Sequence, residues 1–166
     1  MKEIQLSRGY VSQVDDQDYD AVVAAGPWHV HVRVGGTAFY ATHRMRGSNY
    51  SILLHRFILG VTDPRIQVDH ANRNGLDNQR ANLRPATPSQ NAANSAKRRG
   101  NSTSKFKGVH WCKPGPLGKR GKWLALILVN GKRHYLGRFT TEEAAHDAYV
   151  TAAQKHFGQY ARARKY

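Results

Sequence analysis

The chain has a single cysteine, Cys112, in 166 residues. A lone thiol excludes a disulfide within the chain and a zinc site built on cysteines, so no structural zinc is expected. Cys112 itself reads as a buried or half-buried thiol. Acidic residues are also scarce, 11 against 26 Lys and Arg, for a formal net charge of +15. A protein so short of carboxylates is suited to a polyanion rather than to a cationic partner. No apolar run approaches the ~20 residues that cross a bilayer, and Met1-Lys2-Glu3-Ile4-Gln5 lacks the pattern of a signal peptide. The chain is therefore expected to be soluble, intracellular and not secreted. Nucleic acid comes before an anionic membrane surface as its polyanion, and no membrane partner is expected.

What charge there is lies unevenly. Residues 97–166 carry 16 Lys and Arg against 3 Asp and Glu, a net +13, whereas residues 1–96 carry 10 against 8, a net +2. The length allows one domain or two small ones. The chain divides by composition into residues 1–95, a basic Gly/Ser-containing linker at 96–104, and residues 105–166. The linker reads either as a solvated tether or as an arm that tracks phosphates, and the charge beside it favours the arm.

The first 60 or so residues read as strands and turns. Trp28, Val30, Val32 and Val34 alternate with His29, His31 and Arg33, the period of a half-buried strand. Gly35-Gly36 suits a two-residue hairpin turn into a partner strand at 37–43. Asp15-Asp16-Gln17-Asp18 places acids where a helix begins, so a short helix is expected over 19–25. Further on, Thr87-Pro88-Ser89-Gln90 has the form of a capped helix start, worth about 1 kcal/mol. That puts Asn91 in the first turns of a helix facing the strand of Asp69 and His70. In the basic half, 107–111, 123–129 and 132–139 read as three short strands. Asn130-Gly131 is the turn between the last two, and Thr141-Glu142-Glu143 opens an Ala-rich helix to about Phe157.

The chemistry concentrates in residues 68–91: Val68-Asp69-His70, Asn82-Leu83-Arg84 and Thr87-Pro88-Ser89-Gln90-Asn91. Asp69 is able to hold a hard cation and His70 to take a proton from water. Asn91 adds an oxygen ligand without a second negative charge. Asn72, Asn74, Asp77 and Asn78 read as turn formers between two strands.

With these residues in place, the segment resembles the HNH endonucleases, especially the homing-type enzymes of phages and mobile introns. The resemblance covers residues 1–95, with its specific part at 55–95. It implies an α+β fold in which a ββα-metal hairpin and helix clasp one divalent ion. It aligns His70 with the general base, Asp69 and Asn91 with the metal ligands, and Asn82 with the asparagine that pins the hairpin loop. His55-Arg56 also recurs in such relatives: Arg56 is a candidate phosphate contact, while His55 reads as site support or a satisfied core histidine. The cofactor implied is one Mg²⁺ or Mn²⁺ per site and the reaction hydrolysis of a DNA phosphodiester, in a bacterial or phage-infected cytoplasm. One active site per chain favours a nick by a monomer unless two molecules cooperate.

Residues 105–161 resemble the ethylene-response-factor (Apetala-type) DNA-binding domain. The resemblance rests on Phe106-Lys107-Gly108-Val109, Gly121-Lys122-Trp123-Leu124-Ala125, Tyr135-Leu136-Gly137-Arg138-Phe139 and Glu143-Ala144-Ala145-His146-Asp147-Ala148-Tyr149. It implies a three-stranded antiparallel sheet on one helix, with the open face of the sheet in the major groove of double-stranded DNA. Lys107, His110, Arg133 and Tyr135 then belong to the reading face, with Lys113, Lys119, Arg120 and Lys122 on phosphates. Trp123, Ala125, Ile127 and Val129 are expected against the helix. Leu124, Leu126 and Leu128 stand where relatives carry polar or basic residues, and both thymine-methyl contact and packing stay open for them. Two further readings compete with a site-selective endonuclease: a DNA-binding regulator on an inactive HNH fold, and a basic RNA- or ribosome-associated protein.

Overall fold

The computed structural model describes residues 1–33, 38–44, 47, 50–97, 102–113 and 121–162. The Gly35-Gly36 turn, linker residues 98–101, Lys119 and Arg120 lie outside the described residues. The chain is a mixed α and β protein of two compact units, Met1–Thr87 and Pro88–Tyr166.

In the first unit, β1 (Lys2–Gln5) and β2 (Val11–Val14) form an antiparallel hairpin, followed by α1 (Asp16–Ala24). Asp16 and Asp18 lie in the first turn of α1, where the helix dipole favours negative charge. A three-stranded antiparallel sheet comes next, ordered β3 (His29–Val32), β4 (Phe39–Arg44), β5 (Ser51–Leu53). Residues 53–58 depart from the strands and turns expected over the first 60 or so residues. They hold the end of β5 and most of a six-residue helix, α2 (Leu54–Leu59), which stops at Gly60 in the left-handed conformation, φ 63°.

The site-bearing strands, β6 (Gln67–His70) and β7 (Leu83–Ala86), pair antiparallel with Asp69 opposite Arg84 and His70 opposite Leu83. Side chains alternate along a strand, and directly opposed residues share a face. Val68 and Leu83 accordingly enter one core with Ile4, Leu6, Val14, Val22, Trp28, Ala41, Leu54 and Ile58. Two strands of four residues are too short to be stable alone. This pair is held because its inner face completes the core of the larger unit.

In the second unit, α3 (Pro88–Asn94) precedes a sheet of order β10-β9-β8, made of β8 (Val109–Cys112), β9 (Lys122–Val129) and β10 (Lys132–Phe139). Asn130 and Gly131, both at positive φ (48° and 80°), make the tight turn between β9 and β10. The β10 register shifts between Tyr135 and Gly137, a bulge at Leu136. The helix α4 (Glu142–Phe157) is capped by Thr141, whose Oγ1 accepts from the Ala144 N–H at 3.1 Å.

Ala125, Val109 and Ala145 form one buried cluster with Trp123 and Ala148 at its edge. Ile127, Tyr149, Ala153 and Phe157 form a second with Val129. The strand positions expected to meet the helix do so. Gly108 is required here, because a Cβ would collide with the Tyr149 ring and the Leu126 carbonyl. Among the described residues no helix is long and apolar enough to cross a membrane.

Candidate active site and nucleic-acid face

The loop between β6 and β7, residues 71–82, is shaped by its own asparagines. Asn72 Oδ1 accepts from the Asn74 N–H at 2.8 Å, and Asn74 Oδ1 accepts from the Leu76 N–H at 3.1 Å. These side-chain-to-backbone bonds are the turn-forming habit of Asn. Asn82 spans the loop: its Oδ1 accepts from the Asn72 N–H at 2.9 Å and its Nδ2 donates to the Asp77 carbonyl at 2.8 Å.

The loop is also sewn to the rest of the unit. Gln13 of β2 donates to the Leu76 carbonyl and accepts from the Asn78 N–H, both at 2.8 Å. Arg80 forks onto Asp18 of α1 at 2.7 and 2.8 Å and reaches the Ile58 carbonyl at 2.9 Å. A Cβ at Gly75 would strike the Phe39 carbonyl and the Tyr40 ring, so the loop lies close on β4.

His70 ends β6 and is 5% exposed. Its Nε2 lies 3.3 Å from Asn78 Oδ1, and the Asn78 Nδ2 donates to Ser12 Oγ at 2.8 Å. His55 of α2 meets the His70 ring edge to face, centroids 5.0 Å apart, and Tyr40 flanks both rings at 5.9 and 6.0 Å. Burial pushes the His70 imidazole below its ordinary pKa, against the opposing pull of the Asn78 bond and of Asp69 and Asp77. Burial pushes His55 down to about 3, with the charge of His70 and Arg56 adding to it. Both rings are therefore neutral at neutral pH. A neutral imidazole is the form able to accept a proton.

Asp69, also 5% exposed, meets a guanidinium: Arg84 Nη2 and Nε donate to its Oδ2 at 2.7 and 2.9 Å. Cross-strand register sets this pair, since Arg84 stands directly opposite Asp69. Arg56 departs from the expected phosphate contact. Its guanidinium donates to the Ile66 and Asp63 carbonyls at 2.6 and 2.8 Å and so braces the segment between α2 and β6. Asn91 lies in α3, within the second unit. Among the described residues no three His, Cys, Asp or Glu side chains cluster as a cage for a metal. The Asp69 carboxylate is a hard oxygen donor of the kind that suits Mg²⁺ or Mn²⁺, which keep several of their waters.

On the second unit's sheet, register places Arg133, Tyr135 and Arg138 of β10 opposite Leu128, Leu126 and Leu124 of β9. His110 of β8 stands opposite Leu124 from the other side, and Cys112 opposite Lys122. This is the face turned away from α4. His110, Lys113, Arg133, Tyr135 and Arg138 are exposed on or beside it, while Lys122 and Cys112 are half-buried. Lys107 departs from the expected reading face. Its Nζ donates to the carbonyls of Ala93 and Ser95 at 3.0 and 3.1 Å and to that of Ala92, closing the C-terminal end of α3. Burial, with Arg162 nearby, brings its pKa down to about 8. A lysine satisfying the last carbonyls of a helix is in a favourable place.

Sequence alone assigns no part in the site to four residues that the geometry brings forward. Ser12, Asn78 and Arg84 surround the Asp69–His70 pair, and Arg138 joins the basic sheet face. Arg84 was within reach of sequence alone, because a short two-strand hairpin pairs Asp69 with a residue near 84. Asn78 was not, since it looks like any other turn asparagine.

Over 117 residues the chain is 34% identical to a protein of Acanthamoeba polyphaga mimivirus described as an uncharacterized HNH endonuclease. The match takes in 68% of this chain and spans 57% of that relative. No family model and no solved structure matches.

Proposed function

We propose that the chain is an HNH-type DNA endonuclease that hydrolyses a phosphodiester with His70 as general base. The observation that carries the reading is the buried Asp69–His70 pair at the end of a strand, its imidazole held neutral by burial. The similarity to a protein named as an HNH endonuclease supports it.

In the reaction, water loses a proton to the His70 ring, and its oxygen forms a bond to phosphorus as the P–O3′ bond breaks. The leaving 3′ oxygen takes its proton from solvent. Asp69 is the residue of the first unit to hold a divalent cation. Such a cation, Mg²⁺ or Mn²⁺, would grip a scissile-phosphate oxygen and steady the charge on the leaving oxygen. Asn82 keeps the loop after His70 closed. Arg84 balances the Asp69 carboxylate.

The basic second unit positions the nuclease on double-stranded DNA as an Apetala-type sheet. Its open face carries His110, Arg133, Tyr135 and Arg138, with Lys113 and Lys122 beside it toward phosphates. A sheet fits the major groove, where Arg reads guanine or grips phosphate. One base per chain in a monomer gives a nick, the outcome of a homing-type, site-selective enzyme.

The Arg84–Asp69 ion pair favours a second reading, a DNA-binding protein in which the carboxylate is only structural. Supercoiled plasmid separates the two. The endonuclease relaxes it with Mg²⁺, not with EDTA, and His70→Ala cuts the rate by ~10²–10⁴-fold while DNA binding persists. Cleavage by His70→Ala at the unaltered rate removes the histidine from the chemistry. Tight binding with no nicking on any DNA supports the second reading.

A further inference from the structure

The hydrogen-bond chain behind His70 has a direction, and it is fixed at its far end. The Leu76 carbonyl can only accept, so Ser12 Oγ–H, 2.9 Å away, must donate to it. Ser12 Oγ has then spent its one proton and meets the Asn78 side chain as an acceptor, at 2.8 Å from Nδ2. The second amide proton side of Asn78 also turns to an acceptor, the Gly75 carbonyl, at 3.4 Å. Both contacts put the Asn78 nitrogen on the Ser12 side, which leaves Oδ1 facing His70 Nε2 at 3.3 Å. An amide oxygen accepts only, so the imidazole nitrogen facing it must carry the hydrogen. Ser12 and Asn78 are each 0% exposed, so water does not compete for these positions. Their anchoring is redundant, because Gln13 clamps the same loop through its backbone on either side, at Leu76 and Asn78.

We propose that Ser12 and Asn78 are positioning residues that hold neutral His70 as its Nε2–H tautomer, so that Nδ1 is the nitrogen that takes the proton from water. The inference rests on His70 being the base of the proposed nuclease. It adds which ring atom reacts, and it ties that atom to β2, some sixty residues earlier in the chain. It also gives the N-terminal hairpin a part in the site: β2 supplies the hydroxyl that sets the polarity of the relay.

The test reads the tautomer directly. In the intact protein, with the imidazole neutral, ¹⁵N spectra of the His70 ring should show Nε2 as the protonated nitrogen and Nδ1 as the bare one. The Nε2 proton should be slow to exchange and give cross-peaks to the Asn78 amide. A ring protonated at Nδ1, or an Nε2 proton in fast exchange with no contact to Asn78, overturns the proposal without any variant.

Ser12→Ala removes the hydroxyl that orients the amide. It should admit the Nδ1–H form and lower the cleavage kcat roughly 10-fold or more with little change in KM, as for other partners that orient a functional imidazole. A pure Nε2–H ring and an unchanged kcat in that variant overturn the role of Ser12. If the variant does not fold, the spectra of the unaltered protein still decide. Because the tautomer is visible whether or not DNA is cut, an Nε2–H ring in a protein that never nicks defeats the nuclease reading and leaves the relay standing.

Discussion

Acid should weaken the first unit through His55 before its carboxylates are titrated. The imidazole is buried against His70 and Tyr40 and its pKa in the folded chain is about 3, against 6.5 for an unperturbed histidine. The folded value lies below the unfolded one, so between these pH values the unfolded chain binds a proton that the folded chain refuses. Stability from this group is therefore complete above pH 6.5 and is lost steadily as the pH falls. Each pH unit below 6.5 costs ~1.4 kcal/mol, so at pH 5 the loss is about 2 kcal/mol. That is a large part of the ~5–15 kcal/mol that holds a small domain together.

His55→Phe keeps an aromatic ring of similar outline and removes the ionisable group. Urea unfolding at pH 7 and pH 5, followed on the NMR signal of the Trp28 indole, reports on the first unit alone, since that N–H is bonded to the Val22 carbonyl within it. The unaltered chain should lose about 2 kcal/mol more between the two pH values than the variant does. The lowered pKa of His70 acts in the same direction in both proteins and drops out of the comparison. Equal losses in the two chains would mean that His55 is protonated without unfolding, and the buried, neutral pair of rings would have to be abandoned.

Two more outcomes bear on the remaining parts. Arg84→Met withdraws the guanidinium from a carboxylate that is 5% exposed, and should cost roughly 3 kcal/mol. Millimolar Mg²⁺ should then raise the Tm of the variant more than that of the unaltered protein, as the cation takes over the charge, and equal shifts would count against Asp69 as a cation ligand. If the second unit grips ~6 phosphates, DNA affinity should fall ~10³-fold from 50 to 200 mM salt. Arg133→Ala and Arg138→Ala should each lessen the slope of log affinity against log salt by about one, and slopes unchanged by either would take DNA off this face of the sheet.

Regular elements with a strong local signal were legible from the residues. The Thr141 cap and the Asn130-Gly131 turn bounded α4 and the β9–β10 hairpin, and the resemblance to the Apetala-type domain named Ala125, Ile127 and Val129 as the face against α4. Short elements decided by packing were not. Helix α2 has six residues and no side-chain cap, and it exists because Leu54 and Ile58 enter the core. Lys107 looked like a basic residue on a DNA face. Only the packing of α3 beside it turns the ammonium onto three carbonyls, and no pattern in one segment records the end of another. The role of Arg56 was hidden for the same reason, since its partners are backbone carbonyls up to ten residues away.

Why the site needs so much of the first unit follows from its size. A two-stranded sheet with four residues in each strand cannot fix a buried histidine by its own ladder. Nor can a loop of twelve residues between the strands do so, because its conformational entropy opposes order. The chain meets this with three ties of different kinds. Arg80 binds the loop to α1 by charge, Gln13 binds it to β2 through the backbone, and Gly75 lets it lie against β4. The ties reach separate elements, so removing one leaves the others, and its cost should appear as a loosened His70 ring before it appears as unfolding. On that argument the N-terminal hairpin, the α1 acids and β4 belong to the site as much as the strand that carries Asp69 and His70.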